Sequence, residues 1–373
     1  AMAGGAKRLV ETGRNALRQA GRKWLGAPRW LEGSQATGVV LSTDPPIVNT
    51  TLTWPEPAAY LWSFGNRIGR RPAAFLVCMS WHFDDSGGGR ECMRAVAAYR
   101  RRFPMHEVHL LANSPDEVEG FARLGEAAFL LNQNLAVSER YFFPVEDVPV
   151  EFDAIYNARL DPMKRIELAA AIDRVAYVTR PPWAIDPAVY AGLHAGIAAR
   201  HPDHRILNPR ENGLVRDMDA ASVNRALGRA AVGLALSEVE GAMLASMEYM
   251  LAGLPIVSTP SKGGRDFFFD PEYCLVVPPD PRSVREAVMA LKARAIPRAH
   301  IRTKTLARVE PQRRSYLALL DEILGRLGHP PRFGGPWPWL HRRNFFAWGR
   351  VDDQFAAAEA DRDRGRKAAS STE

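Results

Sequence analysis

The sequence predicts an α/β protein made of two Rossmann-like units, with helical or irregular segments added at both ends. Three observations lead there. Short apolar runs alternate with helix-period segments over most of the chain, as in parallel sheets covered by crossover helices. The alternation breaks at the proline-bearing stretch Phe143–Pro149, a hinge in position and composition, and then restarts. The 373 residues suit two domains, each large enough to bury its own core.

Residues 1–30 form a segment of their own. Lys7–Leu25 has helical spacing, with Val10, Leu17 and Trp24 on one face and Arg14, Arg18 and Arg22 on another. Such a basic amphipathic segment suits an anionic membrane surface. It equally suits a terminal helix that docks on the body and leaves its arginines in water. Residues 31–148 form the first Rossmann-like domain. It opens in a stretch rich in Pro, Gly, Trp and Thr, with short strands expected at Gly38–Ser42 and Ile47–Thr53. Regular alternation follows: a buried strand at Phe75–Ser80, a glycine loop at Asp84–Gly89, a helix at Arg90–Arg102, a strand at Glu107–Ala112, a helix at Pro115–Leu124 and a strand at Ala127–Leu131. This is short for a full six-stranded unit, so the first domain is expected to be reduced.

Residues 149–310 form the second domain. Strands are expected at Phe152–Asn157, Val175–Thr179, Arg205–Leu207, Val232–Ser237, Pro255–Ser258 and Cys274–Val277. Helices are expected at Met163–Ile172, Asp186–Arg200, Asp219–Arg229, Ala242–Ala252 and Pro281–Arg294. Residues 311–350 then return, through a helix over Glu310–Leu327, to brace the first domain. They end in an aromatic and basic run: Trp337, Trp339, Phe345, Phe346 and Trp348 among Arg342, Arg343 and Arg350. That mixture suits a lipid headgroup interface, and also docking between domains or subunits. Residues 351–373 read as a disordered tail.

Composition removes several function classes. With 46% hydrophobic and 24% charged residues the chain is globular in type. No stretch approaches the about 18 consecutive apolar residues of a membrane span, and the start has no secretory apolar core. The expectation is a cytoplasmic protein, at most peripheral on the inner face of the plasma membrane through 7–25 and 331–350. Three cysteines, Cys78, Cys92 and Cys274, have neither disulfide-framework nor zinc spacing. The net charge is +7, and residues 1–30 hold seven Lys and Arg against Glu11 alone. The rest is nearly neutral, so no basic face for nucleic acid is expected.

The densest functional signal is Ser237-Glu-Val-Glu240-Gly241, continuing through Glu248 to Gly253-Leu-Pro255-Ile-Val-Ser258. Glu240 follows a strand, at the edge where open α/β sheets bind ligands. Glu248 lies eight residues on, slightly more than two helical turns, so both carboxylates can face one cleft. Gly241, Ala242, Ala245 and Ser246 keep the helix start small, leaving its N–H groups and positive dipole end open to a bulky anion. Carboxylates accept sugar hydroxyls while a helix start receives phosphate. A pair of glutamates at this spacing, taken alone, is also what an ordinary exposed strand–helix unit shows.

The segment resembles the S-x-x-E-G pattern, with seven residues between two glutamates and then G-x-P-V-V, of retaining GT-B-fold glycosyltransferases of family 4. Asn157-Ala-Arg159-Leu-Asp-Pro-Met-Lys164 resembles that family's G-R-L-x-x-x-K segment. Ser261-Lys-Gly263-Gly264 resembles its glycine turn, Val276-Val-Pro-Pro-Asp280-Pro281 its V-P-P-x-D segment, and Asp84–Gly89 with Arg90-Glu91 its first-domain glycine loop. The likeness spans Phe75–Leu291. It implies the GT-B fold, two Rossmann-like domains facing a cleft, the first for the acceptor and the second for the donor. It implies transfer of a sugar from a nucleotide-diphosphate sugar to a hydroxyl, with retention, the acceptor being a glycan, a polysaccharide or a lipid-linked species.

By the same resemblance Arg159 and Lys164 meet the donor diphosphate, Glu240 orients the sugar, and Glu248 holds the ribose hydroxyls. Ser237, Asn157, Gly241, Ala242, Gly263 and Gly264 line the donor site. Arg159 and Lys164, five apart after a strand, can place a guanidinium fork and a point charge on one pyrophosphate. With fixed positive groups on the leaving diphosphate, no metal and no cofactor beyond the nucleotide sugar as co-substrate is implied. Gly87, Gly88 and Gly89 let the backbone approach a ligand in the first-domain cleft, or simply form a flexible turn. The family places a histidine at a late strand end of that domain. Here Asn132-Gln-Asn134 follows instead, and Asn132 or Asn134 is expected to touch sugar or acceptor. His82 is a further cleft candidate, or a satisfied histidine. One departure stands out: between the glutamates the family reads G-F-G-L-P-V-L, whereas this chain has Gly241-Ala-Met-Leu-Ala-Ser-Met247. That change and the reduced first domain leave a second reading, a transferase-like binding or scaffold protein without turnover in a glycan-assembly complex.

Overall fold

The computed structural model describes residues 34–180 and 187–370, so the basic segment at 7–25 lies outside the described residues. The first half runs β1 (Gln35–Thr43), β2 (Pro46–Leu52), α1 (Ala59–Ile68), β3 (Ala73–Met79), α2 (Gly87–Arg102), β4 (His106–Ala112), α3 (Pro115–Arg123) and β5 (Ala128–Leu130). The second runs β6 (Phe152–Asn157), β7 (Val175–Val178), α4 (Pro187–Arg200), β8 (Arg205–Ile206), a small hairpin of β9 (Arg210–Glu211) and β10 (Leu214–Val215), α5 (Ala220–Gly228), β11 (Ala230–Ala235), α6 (Leu244–Leu251), β12 (Ile256–Ser258), β13 (Cys274–Val276) and α7 (Pro281–Arg294). A long helix α8 (Arg298–Arg326), a strand β14 (Trp348–Arg350) and a closing helix α9 (Val351–Ser370) follow.

Two six-stranded sheets form the frame. The first has the order β14-β1-β2-β3-β4-β5. Strands β2 to β5 are parallel, while β1 and β14 add antiparallel pairings at one edge. The reduced, less than six-stranded first domain expected from sequence is not what forms: the stretch 75–131 supplies only three strands, but the sheet is completed to six from outside it. The Pro- and Trp-rich stretch before it and residues 348–350 supply the others. The second sheet, β13-β12-β11-β6-β7-β8, is parallel throughout. Every residue of β2 and β3 is buried, which is why these strands read as continuous apolar runs rather than alternating ones.

Several elements differ from expectation, each for a physical reason. The helix expected at Met163–Ile172 is two 3₁₀ turns, Pro162–Lys164 and Ile166–Ala169, split by Arg165 in the left-handed region at φ 47°. A helix cannot run through such a residue. Its guanidinium ties the loop to the second sheet, donating to the Leu236 carbonyl at 2.7 Å and to Thr259 Oγ1 at 2.8 Å. Helix α1 was not foreseen, although Leu61, Phe64 and Ile68 bury one face at helical spacing. The tail expected to be disordered is helix α9. Val351, Phe355 and Ala358 bury a stripe at i, i+4 and i+7, and Arg67 lies over the Phe355 ring at 5.3 Å while pairing with Asp352 at 2.6 Å.

Helix α8 joins the halves. Arg298 donates to the Gly228 and Ala230 carbonyls of the second domain at 3.1 and 2.7 Å. Further along, Arg313 makes a two-pronged pair with Glu139 at 2.9 and 2.7 Å. It also donates to the Leu135 and Val137 carbonyls. Tyr316 reaches Asn49 on β2 at 2.8 Å. Trp337, Trp339 and Phe345 pack around the Tyr316 ring and are buried. The aromatic run at 331–350 is therefore largely spent inside the protein, with Trp348 its exposed member at 59%. That corrects the headgroup role drawn from composition. Among the described residues no helix is long and apolar enough to cross a membrane.

Candidate functional site

In the second sheet the chain moves outward from β6 through β7 to β8, then returns to β11 on the other side of β6. The point between β6 and β11 is a topological switch point, where the crevice outside the carboxyl ends of the strands receives ligands. Asn157, Arg159 and Lys164 follow β6, and Ser237 and Glu240 follow β11, so the sequence motifs converge on this crevice.

At its centre Lys164 Nζ is paired with Glu240 Oε1, and both are buried. Ser237 Oγ donates to the same oxygen at 2.6 Å. The Tyr156 hydroxyl donates to the Lys164 carbonyl at 2.7 Å and lies 3.4 Å from Ser237 Oγ. Burial pushes that hydroxyl well up, so it stays protonated as a donor. Arg265 is fully buried beneath the motif, donating to the carbonyls of Ser237 and Thr259. From the first domain the Trp81 ring faces Lys164 Nζ at 6.0 Å. Among the described residues Arg159, half-buried, makes no side-chain hydrogen bond or ion pair, which leaves its five N–H donors available.

Glu248 sits deeper, 3% exposed. Asn157 Nδ2 donates to its Oε2 at 2.8 Å and Arg343 Nη2 to its Oε1 at 2.7 Å. Tyr249 beside it accepts the Asn157 backbone N–H at 2.6 Å and fixes the end of β6. The tyrosine ring fits because Gly233 faces it: a Cβ there would lie 2.6 Å from the ring. Helix α6, which begins after Glu240 and carries Glu248, has no side-chain cap, and its N-cap Met243 lies in the left-handed region at φ 50°. Met243 occupies the position of the family's second glycine, so the departure noted in the sequence is also a strained backbone position.

The glycines named from sequence divide by surroundings. A Cβ on Gly263, at φ 108°, would lie 1.7 Å from the Glu240 carbonyl oxygen, and one on Gly264 would lie 2.4 Å from the Asn113 oxygen. Gly241 packs against Met79 and Gln133 of the first domain. These three are sites of close backbone approach, and the Gly264 N–H bonds the Gly241 carbonyl at 2.8 Å. Gly89 is of the same kind, 1.8 Å from the Asp84 oxygen, while a Cβ on Gly87 would face open space and one on Gly88 would meet Ser86 Oγ at 3.8 Å, an ordinary contact.

Asn132 and Asn134 do not line a cleft. Both are fully buried. Asn132 Nδ2 donates to the carbonyls of Asn113 and Gly264 at 2.8 and 2.7 Å, and Asn134 Nδ2 to Ala242 at 2.6 Å. The amide cluster stitches the first domain to the loops that follow β11 and β12. His82 lies 3.6 Å from Glu117, a fully buried carboxylate that accepts the N–H groups of Phe83 and Asn113. Next to it the Ser86 hydrogen bonds, helped by the charges of His82 and Lys262, hold Asp84 below the usual carboxylate range. Lys262 comes from the second domain, so this loop faces across the crevice.

Trp81, Lys262, Gln133 and Arg343 were not singled out as site residues. Trp81 carried a usable signal, since it follows a buried strand next to the glycine loop; Arg343 carried none beyond its charge. The chain contains two Asp-x-Asp triplets, at 217–219 and 361–363. Asp219 caps helix α5, and Asp361 pairs with His341 and Arg342. Among the described residues no cluster of three or more His, Cys, Asp and Glu side chains could hold a metal ion. A surface cavity of about 470 Å³ is lined by Phe152, Arg174, Arg205 and Arg229. It lies at the opposite, amino-terminal ends of the strands and is not the site that the topology favours.

No protein-family model and no curated protein matches the sequence. Solved structures do match. A sucrose-phosphate synthase from Thermosynechococcus elongatus superposes with a TM-score of 0.52 at 18% identity, covering 75% of this chain and 73% of that one. Anabaena HepE, solved with UDP and glucose, superposes with a TM-score of 0.51 at 15% identity, covering 70% and 74%. At such identities the shared property is the architecture: the chain has the GT-B fold.

Proposed function

We propose that the chain is a retaining, metal-independent glycosyltransferase of the family 4 type, moving a sugar from a nucleotide-diphosphate sugar to a hydroxyl of a glycan or lipid-linked acceptor. The observation that carries this reading is the convergence of Arg159, Lys164, Glu240 and Glu248 on the switch point between β6 and β11 in a GT-B frame. HepE has been solved with UDP and glucose, in keeping with such a ligand.

In this reading Glu248 accepts the ribose hydroxyls. Arg159, free of side-chain partners among the described residues, and the N–H groups of Lys164 not used by Glu240 meet the diphosphate. Glu240, held by Lys164 and Ser237, orients the sugar. As the bond from the anomeric carbon to the diphosphate breaks, the electron pair stays on the departing oxygen. Fixed positive groups stabilise that charge without reorganising. The acceptor hydroxyl attacks from the same face and its proton passes to the leaving phosphate, which preserves the anomeric configuration. The domain contact through Gly241, Gly264 and Trp81 brings the first-domain surface against the sugar.

The test is turnover. The protein is incubated with UDP-, GDP-, ADP- and dTDP-sugars and a panel of glycan and lipid acceptors, nucleoside diphosphate release is followed, and the product anomer is assigned by proton NMR. Release that is lost in Arg159→Ala and Glu240→Gln, with a retained anomer, supports the proposal. A protein that binds a nucleotide sugar and releases nothing with any acceptor is the scaffold of the second reading, for which the strained Met243 speaks.

A further inference from the structure

Arg343 stands 95 residues from Glu248 in sequence, beyond the span of the family resemblance, yet supplies one of the carboxylate's two side-chain partners. It is not a loose tail residue. The Ser138 N–H bonds the Arg343 carbonyl at 3.0 Å. The Ser138 hydroxyl bonds the Leu340 carbonyl at 2.6 Å, and the Tyr141 hydroxyl bonds the His341 carbonyl at 2.7 Å. The Arg343 guanidinium lies over the buried Phe142 ring at 5.3 Å. Residues 340–343 are thus fastened to 138–142, immediately before the hinge stretch, and from there a rigid base extends one guanidinium to Glu248.

We propose that Arg343 is a positioning residue of the donor site. With Asn157 it fixes both oxygens of Glu248 so that the remaining lone pairs receive the two ribose hydroxyls of the nucleotide. The inference rests on the glycosyltransferase reading and adds to it that the C-terminal segment completes the donor pocket. A buried carboxylate needs a charged or hydrogen-bonding partner on each oxygen. A carboxylate offers about four lone-pair positions, and the two protein bonds leave the others for a vicinal diol. The contact is a single charge-assisted bond from Nη2, so an ammonium of suitable reach could replace part of it.

The experiment compares equilibrium binding of UDP, GDP and ADP with that of their 2′,3′-dideoxy analogues by titration calorimetry, on the full chain and on Arg343→Ala and Arg343→Lys. Melting curves check that each variant is folded. The wild type is expected to bind one diphosphate class better than its dideoxy analogue. Arg343→Ala should lose about 10-fold or more on the normal nucleotide, the size of one charge-assisted hydrogen bond, and nothing on the dideoxy form. Arg343→Lys should recover part of the loss. Equal weakening of both ligands in Arg343→Ala would mark the residue as merely structural. Tighter binding would mark it as a competitor for Glu248. Either overturns the inference while leaving the donor site standing. A wild type that binds all three diphosphates no better than their dideoxy forms removes ribose recognition by Glu248, and with it the donor reading itself.

Discussion

Replacing Gly263 by Ala tests how tightly the loop after β12 is built. The residue lies at φ 108°, and a Cβ there would sit 1.7 Å from the Glu240 carbonyl oxygen, where real Cβ contacts stay beyond 3.0 Å. The loops cannot drift apart cheaply, since the Glu240 N–H bonds the Lys262 carbonyl at 3.0 Å and the Lys262 N–H bonds the Glu238 carbonyl at 2.9 Å. Forcing an L-residue into this backbone region costs about 1–3 kcal/mol, and displacing packed backbone costs about 1–3 kcal/mol more. The sum, about 2–6 kcal/mol, corresponds to a melting temperature lower by roughly 5–15 °C. Glu240 moves with its own carbonyl, so nucleotide-sugar binding should weaken as well. Gly87→Ala is the control: a Cβ there meets nothing within 4 Å, and in a helix the exchange gains about 0.5–1 kcal/mol. Differential scanning calorimetry of the two variants decides. A Gly263→Ala protein that melts within 2 °C of wild type, as a flexible glycine turn would allow, refutes the reasoning.

Other perturbations follow from the same contacts. Arg313→Ala leaves Glu139 without its two-pronged partner and orphans two buried carbonyls, so denaturant titration should show a loss of about 3–5 kcal/mol. An unchanged midpoint would contradict the bracing role of α8. Asn132→Ala should lower stability by about 2–4 kcal/mol by uncovering the Asn113 and Gly264 carbonyls; a variant with normal melting and impaired turnover would restore the direct sugar contact expected from sequence. On acidification, burial holds His194 down to about 4, with the charge of Arg210 adding to the effect, against about 6.5 in an unfolded chain. The unfolded state therefore takes up the proton first, and stability falls as pH drops from about 6.5 towards 4. Melting curves across that range should flatten in His194→Leu, and equal slopes in both proteins would refute the assignment.

Much of the fold was legible because parallel strands buried on both faces write themselves as apolar runs: Phe75–Met79, Phe152–Asn157 and Val232–Ala235 lie where expected. Helix α7 begins and ends where Asp280-Pro281 and the following pattern put it. Strand β14 was not legible, since three residues gain their structure only by pairing with Gln35–Thr37 across the chain. Helix α9 was misread because its charge-rich composition hides a stripe of just Val351, Phe355 and Ala358. In the site, motif spacing brought Lys164, Glu240 and Glu248 to one crevice, the first two from loops just after strands and the third from helix α6, which follows the second of those loops. The part played by Asn132 and Asn134 was not foreseeable, because an amide says nothing of whether a sugar or a backbone carbonyl will meet it. Arg343 was hidden for a similar reason: its partner is set by how the final segment packs on 138–142.

The central claim is a nucleotide-diphosphate site at the switch point, and a thermal-shift panel of UDP-, GDP-, ADP- and dTDP-sugars tests it most directly. A ligand at a hundredfold excess over its dissociation constant stabilises the folded state by about 2.7 kcal/mol. A rise in melting temperature with one nucleotide class, lost in both Arg159→Ala and Glu248→Ala, is the predicted result. A rise of equal size in those variants, or none with any nucleotide sugar, contradicts the claim.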